Sequence, residues 1–62
     1  MKVTFYRSVL NSNGYPYNSP CGSINYTNIS DEAIVLKDAI NQFEKDNDVK
    51  NWKEAADFYE IS

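Results

Sequence analysis

Histidine is absent from this 62-residue chain, and cysteine occurs once, at Cys21. Without an imidazole, no Ser-His or Cys-His nucleophile pair can form within the chain. A lone thiol cannot close an internal disulfide, so the staple of small secreted scaffolds is missing, which fits a reducing cytoplasm. Cys21 sits between Pro20 and Gly22, with no basic neighbour in sequence to favour its thiolate, and is expected to be a small, half-buried packing residue. Long apolar runs are lacking too. The longest is Ala33 to Leu36, so neither a signal peptide nor a membrane span is expected.

Acidic residues are missing from the first thirty positions, which carry only Lys2 and Arg7, a net of +2. Residues 31–62 hold all nine acids against four lysines, a net of −5, and the whole chain carries −3. An acidic half opposes direct binding to nucleic acid, where phosphate contacts dominate affinity. It suits a protein partner with a basic surface, although acids on a helix also serve simply as a solvated face. Glu44, Asp46 and Asp48 have the opening spacing of a calcium loop. A loop begun at Glu44 would put Val49 where glycine is needed and Ala55 where a bidentate glutamate is needed, so no metal site is expected. No Cys/His cluster exists for zinc. No pair of carboxylates stands out as a buried acid and base, and neither a cofactor nor an enzyme activity is expected.

What is present is one long amphipathic segment. Ser30 to Lys45 predicts a helix: Ser30 as N-cap, Asp31 and Glu32 at the positive end of the dipole, and Ala33, Leu36, Ile40 and Phe43 spaced as one face. Ile34, Val35 and Ala39 widen that stripe, and Ile29 against Ile34 has the spacing of a hydrophobic staple. The run Asp46-Asn47-Asp48 ends the helix by turn chemistry. One such helix cannot bury its own stripe and needs a sheet to lie on.

Lys2 to Leu10 alternates as a strand, with Val3, Phe5, Arg7 and Val9 on one face and Thr4, Tyr6, Ser8 and Leu10 on the other. Between Asn11 and Cys21 two models compete. One is a tight hairpin with a type I′ turn at Asn13-Gly14. The other is an open loop of about ten residues; the loop, or a frayed extension of the hairpin, is favoured here because Pro16 and Pro20 oppose a regular return strand. Gly22 to Thr27 predicts the second strand, with Ile24 and Tyr26 on one face. Lys50 to Ala55 predicts a short helical piece with Val49, Trp52 and Ala56 inward, and Asp57 to Ile61 a last strand. Residues 1–62 thus form one α+β domain of order ββα(short α)β: a three-stranded, mainly antiparallel sheet of order 2-1-3 with the helix on one face. Asn25-Tyr26-Thr27 and Asn28-Ile29-Ser30 match the glycosylation pattern but are expected to be ordinary strand and cap residues.

Three surfaces are candidates for contact. Tyr15 and Tyr17 flank Pro16 where the chain runs over the surface, and tyrosine is favoured at interfaces; alternatively both rings fold over the open sheet face as a small second core. The acids Asp31, Asp38, Glu44, Asp46 and Asp48 form a second candidate, able to occupy a basic groove. The uncovered sheet face, with Tyr6, Leu10 and Phe58, is a third, and would make the protein a homodimer.

Trp52 and the run Ala55-Ala56-Asp57-x-Tyr59-Glu60-Ile61, behind a helix finishing in Asn41-Gln42-Phe43-Glu44, resemble the C-terminal half of small bacterial and phage ββαβ proteins. The similarity covers about the last third of the chain, and its apolar members imply a fold more than a function. The size, acidity and Asn/Lys/Ile/Tyr-rich composition are also similar to those of small phage or prophage accessory proteins, including anti-CRISPR inhibitors. That similarity implies a small protein that blocks a host protein by covering it, and it brings no functional residues with it.

Overall fold

The computed structural model describes all 62 residues. Strand β1 (Lys2–Leu10) is central, flanked by β2 (Pro16–Asn25) and β3 (Phe58–Ile61), with both neighbours antiparallel to it. Helix α1 (Glu32–Asp46) and a single 3-10 turn (Trp52–Glu54) connect β2 to β3. This is the expected α+β architecture with sheet order β2-β1-β3.

Alternation in β1 sets the layers. Val3 and Phe5 are buried, and their cross-strand partners Ile24 on β2 and Ile61 and Tyr59 on β3 share their face. Phe5 stacks on Phe43 of α1 at 4.1 Å between ring centroids and 13° between planes. Opposite Phe5 on β2 stands Gly22, where a Cβ would lie 3.1 Å from Phe43 Cε1. Phe43 is thus held between Phe5 and the bare backbone of Gly22. Val35, Ala39 and Ala56 complete the fully buried set, with Ile24, Tyr26, Ile40, Trp52, Ala55 and Ile61 packed around it. Trp52 closes the end of the core edge-on to Tyr59.

The buried face of α1 is turned by about one residue from the expected stripe. Val35, Ala39 and Phe43 are buried, Leu36 and Ile40 are half-buried, and Ala33 is exposed. Adjacent apolar positions in AIVL satisfy two neighbouring helical faces, and the sheet takes the β-branched one. The cap is Asp31, not Ser30: its carboxylate accepts from the amides of Ala33 (3.0 Å) and Ile34 (3.4 Å). Two good capping residues in succession left the start ambiguous by one position. With the helix so placed, Ile29 and Ile34 are both exposed and form no buried staple. At the other end, Val49 donates to the Glu44 carbonyl (3.0 Å) and Asp48 to that of Lys45 (3.3 Å). Asp48 has φ +53°, so this is a Schellman ending with aspartate in the place usually taken by glycine.

β2 starts at Pro16, which corrects the open loop expected over residues 11–21. Asn11 organises the turn: its carbonyl accepts from Gly14 (2.9 Å), and its Oδ1 accepts from Asn13 (2.9 Å) and Tyr15 (3.0 Å). Within this turn only Gly14 has positive φ (+81°), so a type I turn followed by a left-handed glycine replaces the type I′ turn. The prolines are accommodated because β2 is an edge strand. The hydrogen-bonded partners of β1 are Ile24, Gly22, Ser19 and Tyr17, which leaves Pro16 and Pro20 directed to the solvent side, where a missing N–H costs no ladder bond. Between Phe5–Gly22 and Tyr6–Pro20 the register slips by one residue, making Cys21 a β-bulge.

Candidate functional site

β3 pairs with β1 only from Val3 to Tyr6, whereas β2 continues to Leu10. Residues 7–19 therefore form a two-stranded arm extending beyond the third strand. The molecule measures 42 × 24 × 14 Å, and its radius of gyration, 12.6 Å, exceeds the roughly 10.5 Å of a compact chain this long. Asp57 marks the junction. Its amide donates to the Tyr6 carbonyl (2.8 Å), and its Oδ2 accepts from the Ser8 amide (2.7 Å), satisfying the first position of β1 that β3 does not reach.

The arm carries Tyr15 and Tyr17, 68% and 51% exposed. Tyr17 pairs with Val9 on the helix-side face, while Leu10, 69% exposed, pairs with Pro16 on the other. Neither tyrosine stacks on Tyr6 or Phe58, so the second-core alternative for these rings is not realised. Tyr6 and Phe58 stack on each other instead, at 5.2 Å and 17°, with Pro20 across from Tyr6. Both rings are half-buried on the open face, and Leu10 lies four residues further along β1, out on the arm.

The five acids proposed from the sequence do not form one patch. They are strung along a helix of 15 residues, about 22 Å long. Three have structural partners: Asp31 is the N-cap, Asp38 Oδ2 accepts from the Tyr26 hydroxyl at 2.6 Å, and half-buried Glu44 accepts the Trp52 amide at 2.8 Å. Glu54 caps the 3-10 turn in the same manner, accepting from the amides of Lys50 and Asn51 (both 3.1 Å). Asp46 and Asp48 remain at the C-terminal end of α1. The Tyr26 hydroxyl is pushed up to about 12, first by desolvation and then by the Asp38 carboxylate that holds its proton. No group of three His, Cys, Asp or Glu side chains converges to hold a metal.

Cys21 is exposed rather than half-buried, because it is the extra residue of a bulge on the outer strand of the sheet. Its Sγ is 3.4 Å from the Phe5 carbonyl and 3.7 Å from that of Ala55, contacts of a weak donor rather than of an activated nucleophile.

One feature was not anticipated from the sequence. An open groove of about 390 Å³ separates the first turns of α1 from β3, lined by Glu32, Ala33, Leu36, Tyr59 and Ile61. It exists because the rotation of α1 toward Val35 leaves Ala33 and Leu36 short of the sheet. The surplus apolar positions of the stripe were the available signal.

No protein-family model, curated protein or solved structure matches the chain. No helix is long and apolar enough to cross a membrane.

Proposed function

We propose that the chain is a non-catalytic protein-binding module that acts by covering the surface of another protein, with the hairpin arm as its principal contact. The observation that carries this reading is the arm itself. A two-stranded ribbon is marginal in water without a third strand or a helix to cover it, yet this one projects past both and holds Tyr15, Tyr17 and Leu10 in the open. Exposed tyrosines add much contact area at low side-chain entropic cost on docking. The net charge of −3 favours a basic partner surface. Size, acidity and a small-protein style similar to phage or prophage inhibitors are consistent with occlusion of a host protein in the cytoplasm. Photo-crosslinking from a probe at position 10 of the arm in host lysate, compared with the same labelled protein also carrying Tyr15→Ala and Tyr17→Ala, tests it. One crosslinked species, lost in the double variant while circular dichroism is unchanged, supports the reading. An unfolded double variant would make the arm a structural element and remove its support.

A second reading is a homodimer through the open face, favoured by the row Pro20-Tyr6-Phe58 across the sheet. Light scattering at micromolar concentration decides it, since a strict monomer excludes this version. Pairing through the β2 edge is opposed by the outward prolines and the bulge at Cys21.

A further inference from the structure

The two outer edges of the sheet are built differently. β2 is blunted by Pro16, Pro20 and a bulge, the devices by which proteins keep an edge from pairing. β3 has no proline and no bulge. Lys2 and Ser62 exchange both hydrogen bonds (2.7 and 2.8 Å), and an antiparallel ladder repeats such pairs every second residue, through Thr4–Glu60 to Tyr6–Phe58. The amides and carbonyls of Tyr59 and Ile61 therefore point outward, with no partner strand. Beside them lies the groove of Ala33, Leu36, Tyr59 and Ile61, with Glu32 as its one charged wall.

We propose that this edge and groove bind an extended segment of a partner protein as a fourth strand, selecting an apolar–Lys/Arg–apolar pattern. Strand addition supplies up to four backbone hydrogen bonds from Tyr59 and Ile61, and alternation supplies the specificity. Residues placed opposite Tyr59 and Ile61 direct their side chains to the helix-side face, into the groove. The residue between them stands opposite Glu60 and points to the other face, so a basic side chain there meets a carboxylate. A further Lys or Arg flanking the motif reaches Glu32. Charge argues against a second copy as the occupant: a two-fold pairing of Tyr59 with Ile61 would set Glu60 directly against Glu60, which is unfavourable across strands.

This site is separate from the hairpin arm, and its test is separate too. Random twelve-residue peptides displayed on phage are selected against the full chain, and the most enriched peptide is titrated into isotope-labelled protein. The expected result is the apolar–basic–apolar pattern, slowed exchange of the Tyr59 and Ile61 amides, and at least tenfold weaker binding when Ala33→Trp fills the groove. Ala33 is exposed, so that variant keeps the fold. Glu60→Lys should switch the selected central residue to Asp or Glu, and Tyr15→Ala with Tyr17→Ala should leave peptide affinity unchanged. Failure to enrich any peptide overturns the proposal, as do peptides that protect the arm instead, or a dimer whose Tyr59 and Ile61 amides are already protected without peptide.

Discussion

Phe5 and Val9 lie four residues apart on the same face of β1, and they live in different proteins in all but name. Phe5 is fully buried, stacked on Phe43 and flanked by Trp52 and Tyr59. Val9 is half-buried, with Tyr17 across from it and no helix above. The alternation that marks a strand is identical at both positions, so what differs is not secondary structure but cover. The body of the molecule has a helix over a three-stranded sheet; the arm has neither, and its order depends on its connection to the body. Only six residues are buried in the whole chain, so the body has little stability to spare.

The strongest way to expose that division is Phe5→Ala. Removing a fully buried aromatic ring costs about 3–5 kcal/mol, which for a core this small leaves the chain unfolded at 25 °C by circular dichroism. Val9→Ala, on the same face of the same strand, should cost under about 1 kcal/mol, because its methyl groups are already partly in water. Equal effects of the two changes would mean that the arm is packed as tightly as the body.

Next in size is Gly22→Ala. The added methyl would press on Phe43, which cannot retreat because Phe5 stacks on its other side. A loss of about 1–2 kcal/mol is expected in chemical denaturation, the usual effect of overpacking. Gly14→Ala, in the arm's turn, has open space around it but requires φ +81°. It should destabilise by about 1 kcal/mol through backbone strain alone. The first loss should shrink when Phe43→Leu is added, and the second should not.

These positions also show what could be learned before any coordinates. The order of elements was legible because alternation in KVTFYRSVL and the helical spacing from Ala33 to Phe43 each have one structural solution. The return strand was not, because Pro16 and Pro20 forbid a strand everywhere except at a sheet's outer edge, and edge position is a property of the assembled topology. The helix face was legible only to within one residue, since AIVL offers four apolar positions in a row. For the acids, the composition concealed a division of labour: Asp31, Asp38, Glu44, Glu54 and Asp57 each accept a specific hydrogen bond, several from chain segments distant in sequence. Spacing within one helix could not show a tyrosine on the β2 side reaching Asp38.

Asp48→Gly should raise stability by about 0.5–1 kcal/mol in thermal or urea unfolding, since glycine adopts the left-handed conformation without the Cβ penalty. It lies in the body's helix ending and should leave the arm's exchange rates unchanged. Tyr26 supplies a pH handle on the same region. Its hydroxyl ionises near 10 when unfolded and about 12 when folded. A group whose folded value is raised contributes stability that is complete below the unfolded value and disappears as pH climbs through the folded one. The midpoint of urea unfolding should therefore fall between pH 10 and 12, and Tyr26→Phe should flatten that limb. At pH 7 ionisation of this hydroxyl contributes nothing to the pH slope.

The smallest effect expected is also the one that separates arm from body most sharply. Tyr15→Ala with Tyr17→Ala removes two of the largest side chains in the molecule, yet both are more than half exposed and contact no core residue's ring. Surface substitutions of this kind change stability by within about 0.5 kcal/mol. Native-state hydrogen exchange gives the matching picture: amides of Val3 and Phe5 should exchange only by global unfolding, and those of Val9 and Tyr17 by local opening of the arm. If the double variant instead loses several kcal/mol, the two rings are part of the fold's own stability. Aromatic side chains that stand in water on the arm and are not needed for folding are the property on which the proposed docking of another protein rests.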